Sequence, residues 1–158
     1  MKKPIAWVLL AIAGVAAAAD DLLEPEKVFR MSTRALDATS LEVRFAIADG
    51  YYLYRDKLKF TLEPGPLQAP PILPPGKVKQ DPFFGAVETY RGEVVARVAL
   101  ATPAPGGAVT LKAESQGCAD LGVCYPPQVQ KLSLSLPATG AGPGQVVEYA
   151  PAKRTWFK

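Results

Sequence analysis

The sequence predicts an all-β fold built from two packed antiparallel sheets. Three observations carry the prediction. Apolar and polar residues alternate in six or seven short runs. The 158 residues include 16 prolines and 13 glycines, which suits strands joined by many turns better than a helical bundle. Beyond the first nineteen residues, no long segment has a 3.6-residue apolar period. At 49% hydrophobic and 21% charged, the chain has the profile of one globular domain.

The runs can be taken in order. Leu41, Val43, Phe45 and Ile47 alternate with Glu42 and Arg44. Asp49-Gly50 follows, a strong hairpin signal before the run that starts at Tyr51. In that second run Leu58, Phe60 and Leu62 oppose Lys57, Lys59 and Thr61. A strand near Val87–Tyr90 is expected to pair across Arg91-Gly92 with Val94, Ala96, Val98 and Leu100. Val109, Leu111 and Ala113 form the next apolar face, and Leu132, Leu134 and Leu136 the last. Each strand has one face to bury, so two sheets stack on those faces. The result is an immunoglobulin-like sandwich of roughly 110 residues. Six prolines between Pro64 and Gly76 exclude a central strand and predict an extended surface connection. Residues 137–158 read as a Pro/Gly/Ala-rich linker and a tail. The stretch holding Tyr149, Trp156 and Phe157 is open to a terminal strand, a docking tail or disorder.

Residues 1–19 read as a secretory signal peptide. Lys2 and Lys3 precede the apolar run Ile5–Ala19, whose 15 residues are short of a membrane span. Ala17 and Ala19 place cleavage before Asp20, with the bond after Ala18 nearly as good a fit. An uncleaved anchor is the alternative. Losing Lys2 and Lys3 lowers the net charge from +3 to +1. No block of like charge then remains, so nothing supports nucleic-acid or anionic-membrane binding. In an exported, oxidising compartment Cys118 and Cys124 can pair.

The chemistry left open is narrow. Without a single histidine, Ser-His-Asp triads, Cys-His pairs and histidine-containing zinc sites are excluded. Two cysteines cannot build a four-thiolate metal site. The string QGCADLGVCYPP, Gln116–Pro127, is compact enough for its sulfurs to meet. It joins two strands at a sheet end. A structural staple closing so short a loop contributes roughly 2.4 kcal/mol in the chain-entropy picture. A reversible dithiol needs a reachable sulfur and a thiolate, and a free thiol is roughly 3% ionised at pH 7. The loop alone permits both.

Three strings carry a resemblance: DGYYLYRDKL at Asp49–Leu58, DPFFGAVETYRG at Asp81–Gly92, and QGCADLGVCYPP. In order, spacing and cysteine loop, the sequence over residues 24–136 resembles the N-terminal periplasmic domain of the DsbD family of thiol:disulfide interchange proteins. The resemblance implies an immunoglobulin-like sandwich with a redox loop and a cap loop at one end. It implies a periplasmic oxidoreductase that relays reducing equivalents between thioredoxin-like partners. The donor is linked to a membrane electron carrier, and the acceptors include disulfide isomerases and cytochrome c maturation proteins. Cys124 would form the mixed disulfides and Cys118 would resolve them, with no organic cofactor or metal. Phe83 would cap the sulfurs beside Phe84, Asp81 would raise a thiol pKa, and Tyr52 and Tyr54 would flank the pair.

Plainer roles stand beside these: core packing for Phe83 and Phe84, a turn cap for Asp81, and core burial for Tyr52 and Tyr54, which share the parity of Leu58 and Phe60. Pro82 departs from the family pattern, taking the place of a second acidic residue. The 158 residues hold no transmembrane or thioredoxin-like segment, which reads as a free-standing relay domain or a fragment; a free-standing domain would draw on a membrane carrier supplied by another chain. The rival from a different class is an exported sandwich that binds protein or glycan around a purely structural disulfide. An assembly subunit pairing through a sheet edge is the third.

Overall fold

A computed structural model describes residues 22–104 and 106–151; the expected signal peptide, Trp156 and Phe157 lie outside them. A one-turn helix, Pro25–Val28 (α1), leads into β1, Phe29–Ala35, and β2, Ser40–Ile47. Then come β3, Tyr51–Tyr54, β4, Lys59–Glu63, β5, Lys77–Asp81, and β6, Gly85–Tyr90. The remainder are β7, Glu93–Ala99, β8, Ala108–Ser115, β9, Gly117–Ala119, β10, Gln128–Ser135, and β11, Val147–Glu148.

All pairings between these strands are antiparallel. One sheet runs β11-β1-β2-β7 and a second β10-β8-β4, and these are the expected sandwich layers. Alternate residues of β1, β2, β7, β8 and β10 bury Phe29, Met31, Leu41, Val43, Phe45, Val98, Leu111 and Leu134 between them. The alternation read from the sequence is thus the inward face of each strand.

A third sheet, β5-β6-β3-β9, was not anticipated, and it carries the cysteine loop. Three expectations fail around it. Asp49-Gly50 makes a tight turn, with Gly50 at φ 82° and the Tyr51 amide donating to the Ala48 carbonyl. It is not a hairpin, because β2 pairs with β1 and β7 whereas β3 pairs with β6 and β9. The run from Tyr51 is not one strand either. A 3-10 turn at Arg55–Lys57 sends β3 and β4 into different sheets. Nor does β6 pair with β7 across Arg91-Gly92. Gly92, at φ 68°, turns the chain out of the third sheet, and its carbonyl accepts the Ile47 amide at the end of β2. A local turn signal reports a reversal of direction; it does not report which strand the chain meets next.

The proline-rich connection is extended as expected, touching β7 and the residue after it through isolated bridges at Ile72–Arg97 and Leu67–Leu100. Of the possibilities left open for the tail, the described part forms β11, which pairs Val147 and Glu148 with β1.

Gly117 lies in β9, where a Cβ would fall on the Tyr52 carbonyl oxygen and 2.6 Å from Phe29 Cζ. Both neighbours are packed, so neither can move aside. Gly117→Ala is therefore expected to destabilise the domain by about 3 kcal/mol, the upper end of overpacking costs. Urea unfolding of the oxidised protein measures this; a loss within experimental error would mean that β9 shifts freely.

Candidate dithiol–disulfide site

Cys118 and Cys124 are bonded in a disulfide. Cys118 sits in β9 opposite Tyr52 and is fully buried, while Cys124 is half-buried on the returning limb. The backbone closes the loop on itself: the Ala119 amide donates to the Val123 carbonyl at 2.8 Å and the Tyr125 amide to the Gly117 carbonyl at 3.0 Å. Between the cysteines, Leu121 and Val123 are exposed.

The sequence parity of Tyr52 and Tyr54 pointed to the main core. The structure puts Tyr51 and Leu53 there instead. Tyr52 and Tyr54 point the other way and form a separate buried cluster with Cys118, against which Val87 and Cys124 pack. The Arg55–Lys57 turn breaks the parity between Tyr54 and Leu58. The tyrosines are buried, but beside the sulfurs.

Asp81, buried at the end of β5, joins this cluster to the segment that follows it. Its Oδ2 accepts hydrogen bonds from the Tyr54 hydroxyl at 2.6 Å and the Tyr52 hydroxyl at 3.1 Å. Its Oδ1 accepts the Phe83 and Phe84 amides at 2.8 and 3.2 Å. Asp81 is therefore both the turn cap and the carboxylate behind the site. Burial pushes its pKa up, but the bonds from Tyr54, Phe83, Tyr52 and Phe84 outweigh burial and hold it below the ordinary value. Burial, reinforced by the carboxylate, pushes both tyrosine hydroxyls up.

Tyr54 Oη also lies 3.0 Å from Cys118 Sγ and 3.9 Å from Cys124 Sγ. A phenol has one proton. The short bond to Asp81 takes it, so the group facing the sulfurs is an oxygen lone pair. Such an oxygen can accept a proton from a thiol and cannot stabilise a thiolate.

Phe84 packs edge-on against Tyr54, 5.2 Å between ring centroids, with Lys57 Nζ 4.7 Å above the Phe84 ring. Phe83 is 64% exposed, and Phe84 is 45% exposed, so neither is ordinary core.

Sequence reasoning missed three contributors. Tyr125, next to Cys124, packs on Phe29 and Tyr51, and its hydroxyl donates to the Leu23 carbonyl at 2.6 Å. Burial and the bond with Tyr51 leave its pKa pushed up to about 12. Arg91 and Asp120 form a bidentate pair, with nitrogen–oxygen distances of 2.9 and 2.6 Å. All three stand in or beside the quoted strings, but nothing in those strings joins position 91 to position 120. Among the described residues, no three His, Cys, Asp or Glu side chains converge on a common point.

A sandwich with one half-buried and one buried sulfur at its end, backed by a tyrosine–carboxylate pair, defines a dithiol–disulfide domain. Residues 19–136 match the family described as thiol:disulfide interchange protein DsbD, N-terminal, and the chain belongs to that family. It is 46% identical over 130 residues to a DsbD of Ralstonia nicotianae, and 44% identical over 131 residues to DsbD 2 of Pseudomonas aeruginosa. Each alignment covers 81% of this chain and 21% of the relative, so the chain spans about a fifth of their length. The reduced DsbD N-terminal domain of Neisseria meningitidis superposes with a TM-score of 0.70 at 34% identity, covering 84% of this chain and 98% of that one. A second solved structure, from a complex of the DsbD and PilB N-terminal domains of N. meningitidis, has a TM-score of 0.61 at 35% identity, covering 80% and 94%.

Asp81→Asn tests the carboxylate's coupling to the fold. A depressed folded-state pKa contributes stability above the unfolded value, near 3.9, that is lost as pH falls through the folded value. The wild type is expected to exceed Asp81→Asn in stability at pH 7, with the gap closing below about pH 4. Urea unfolding of both oxidised proteins from pH 7 to 2.5 checks it; a constant gap would contradict the coupling.

Proposed function

We propose that this domain carries out thiol–disulfide exchange in the periplasm, receiving reducing equivalents from a thioredoxin-like donor and passing them to oxidised thioredoxin-like proteins. The observation that carries the reading is the asymmetry of the sulfurs: Cys124 half-buried, Cys118 wholly buried against Tyr54. The family relationship and the related complex of a DsbD N-terminal domain with a PilB N-terminal domain support exchange with a protein partner.

In the reduced state, the Cys124 thiolate attacks a partner disulfide, and one partner sulfur leaves as a thiolate. Cys118 then attacks Cys124 Sγ, and the second partner sulfur leaves, taking up the Cys118 proton. Two electrons pass to the partner, and the domain is left with its own disulfide. A donor thiolate attacking Cys124 Sγ reverses the sequence. Asp81 and Tyr54 tune the inner thiol: an oxygen lone pair and a nearby negative charge disfavour the thiolate, which keeps Cys118 protonated until its turn. Residues 81–84 act as the cap, Phe84 through its ring on Tyr54 and Phe83 as the exposed edge a partner meets. Acceptors of the disulfide-isomerase and cytochrome c maturation kind, a membrane-linked donor and cleavage of residues 1–19 complete the proposal.

Equilibration with glutathione or dithiothreitol buffers tests the exchange. A potential in the thioredoxin-like range supports it, and a bridge resistant below about −300 mV would make the disulfide a staple. Cys118→Ala is expected to trap a mixed disulfide with a thioredoxin-like protein through Cys124. A trap formed by neither single-cysteine variant would refute the mechanism.

The cap is tested separately, with iodoacetamide on the reduced protein. Phe83→Ala and Phe84→Ala should each speed alkylation by about threefold or more, an ordinary effect of unshielding a sulfur. Rates unchanged in both variants would leave the segment without a shielding role.

A further inference from the structure

The two limbs of the cysteine loop are held unequally. The Cys118 limb is strand β9, paired residue by residue with Tyr51–Leu53 of β3. Beyond it Leu121, Gly122 and Val123 form an exposed tip, with Gly122 at φ 88°. Asp120 stands at the border. Its amide donates to the Gly50 carbonyl at 2.8 Å, and its carboxylate leaves the loop to take both Arg91 nitrogens. Among the described residues this is the one ion pair the cysteine loop makes.

Arg91 is well placed to hold it. Its turn is pinned to β2 by the bond from the Ile47 amide to the Gly92 carbonyl, at 2.7 Å. Its guanidinium lies 5.2 Å from the centre of the Tyr52 ring, and Nη1 reaches the Tyr51 carbonyl at 3.4 Å. One side chain thus grips the loop and the strand on which Cys118 is paired. Both partners are nearly half exposed, so the pair contributes less than about 1 kcal/mol to the fold. Its consequence is local. While the disulfide is closed, the sulfur bridge fixes the loop. Once it opens, the covalent tie across the tip is gone, and the Arg91–Asp120 fork is the remaining side-chain ionic tie.

We propose that the Arg91–Asp120 pair is a positioning clamp for the resolving step: it holds the inner limb so that Cys118 Sγ stays within reach of Cys124 Sγ while Cys124 carries a partner. This rests on the exchange mechanism proposed above. The rate of an intramolecular attack scales with the fraction of time the reacting atoms are within reach. Arg91 and Asp120 touch neither sulfur, so they are positioning residues.

Reaction of the reduced protein with dithiobis(nitrobenzoate) separates the two steps. Cys124 attacks the aromatic disulfide and releases one thionitrobenzoate. Cys118 then attacks Cys124 Sγ and releases the second, and the dithiol's two electrons end on the two released thiolates. Asp120→Asn and Arg91→Gln should each slow the second release by about fivefold and leave the first within about twofold. The double variant should slow it no further, because both changes remove one interaction. The same loss moves the glutathione equilibrium by about fivefold, roughly 20 mV less negative. Thermal midpoints should stay within a few degrees, as for other exposed pairs. An unchanged second release, or additive effects in the double variant, would overturn the clamp. Cys118→Ala and Cys124→Ala run alongside: only the former should keep the first release. A first release retained by Cys124→Ala would instead overturn the exchange order itself.

Discussion

Tyr54 has one phenolic proton and donates it in a hydrogen bond to the Asp81 carboxylate. Much at this end of the molecule follows from that bond. It keeps the buried carboxylate ionised against the cost of burial, because four donors converge on its two oxygens. It turns a lone pair toward Cys118, 3.0 Å away. It also ties the segment after β5 to the strand beside the sulfurs, since Asp81 holds the Phe83 and Phe84 amides with its other oxygen. A neutral or displaced residue at 81 would loosen the segment and re-aim the tyrosine proton together.

The fold supplies this arrangement by dividing its labour. The two sandwich sheets bury the large apolar side chains. The small third sheet adds Tyr51, Leu53, Tyr90 and Ala119 to that core and carries the polar cluster on its other face. Because β3 has one face on the main core and the other on the sulfurs, Tyr51 and Leu53 anchor what Tyr52 and Tyr54 present. Gly117 makes the close approach of β9 to β3 possible, and Tyr125 secures the opposite limb by packing on Phe29. The cysteine loop is therefore packed at its base and exposed at Leu121–Val123.

Legibility followed the range of the interaction. The alternation in β2, β7, β8 and β10 was correct because burial of one face imposes a period of two within a single strand. The cysteine loop at a sheet end was also correct, because β8 and β10 flank it in the chain and pair directly. The site tyrosines were found through the resemblance, while parity assigned them to the wrong cluster. A three-residue turn at Arg55–Lys57 was enough to change sheets, and no periodicity registers so short a break. The Asp49-Gly50 and Arg91-Gly92 turns exist, but their strands pair elsewhere.

By itself the sequence determined the class of fold, the chemistry open to a histidine-free chain with two cysteines, and the loop on which that chemistry sits. Those are properties of composition and of neighbours along the chain. Only the tertiary structure decided which sulfur is reachable, that Asp81 meets Tyr54 across 27 positions, that Tyr54 meets Cys118 across 64, and that Arg91 grips Asp120 across 29. A hydrogen bond requires its partners within about 3 Å. Bringing residues so far apart in the chain to that distance takes the combined register of every strand between them, and the register is settled by packing the whole core.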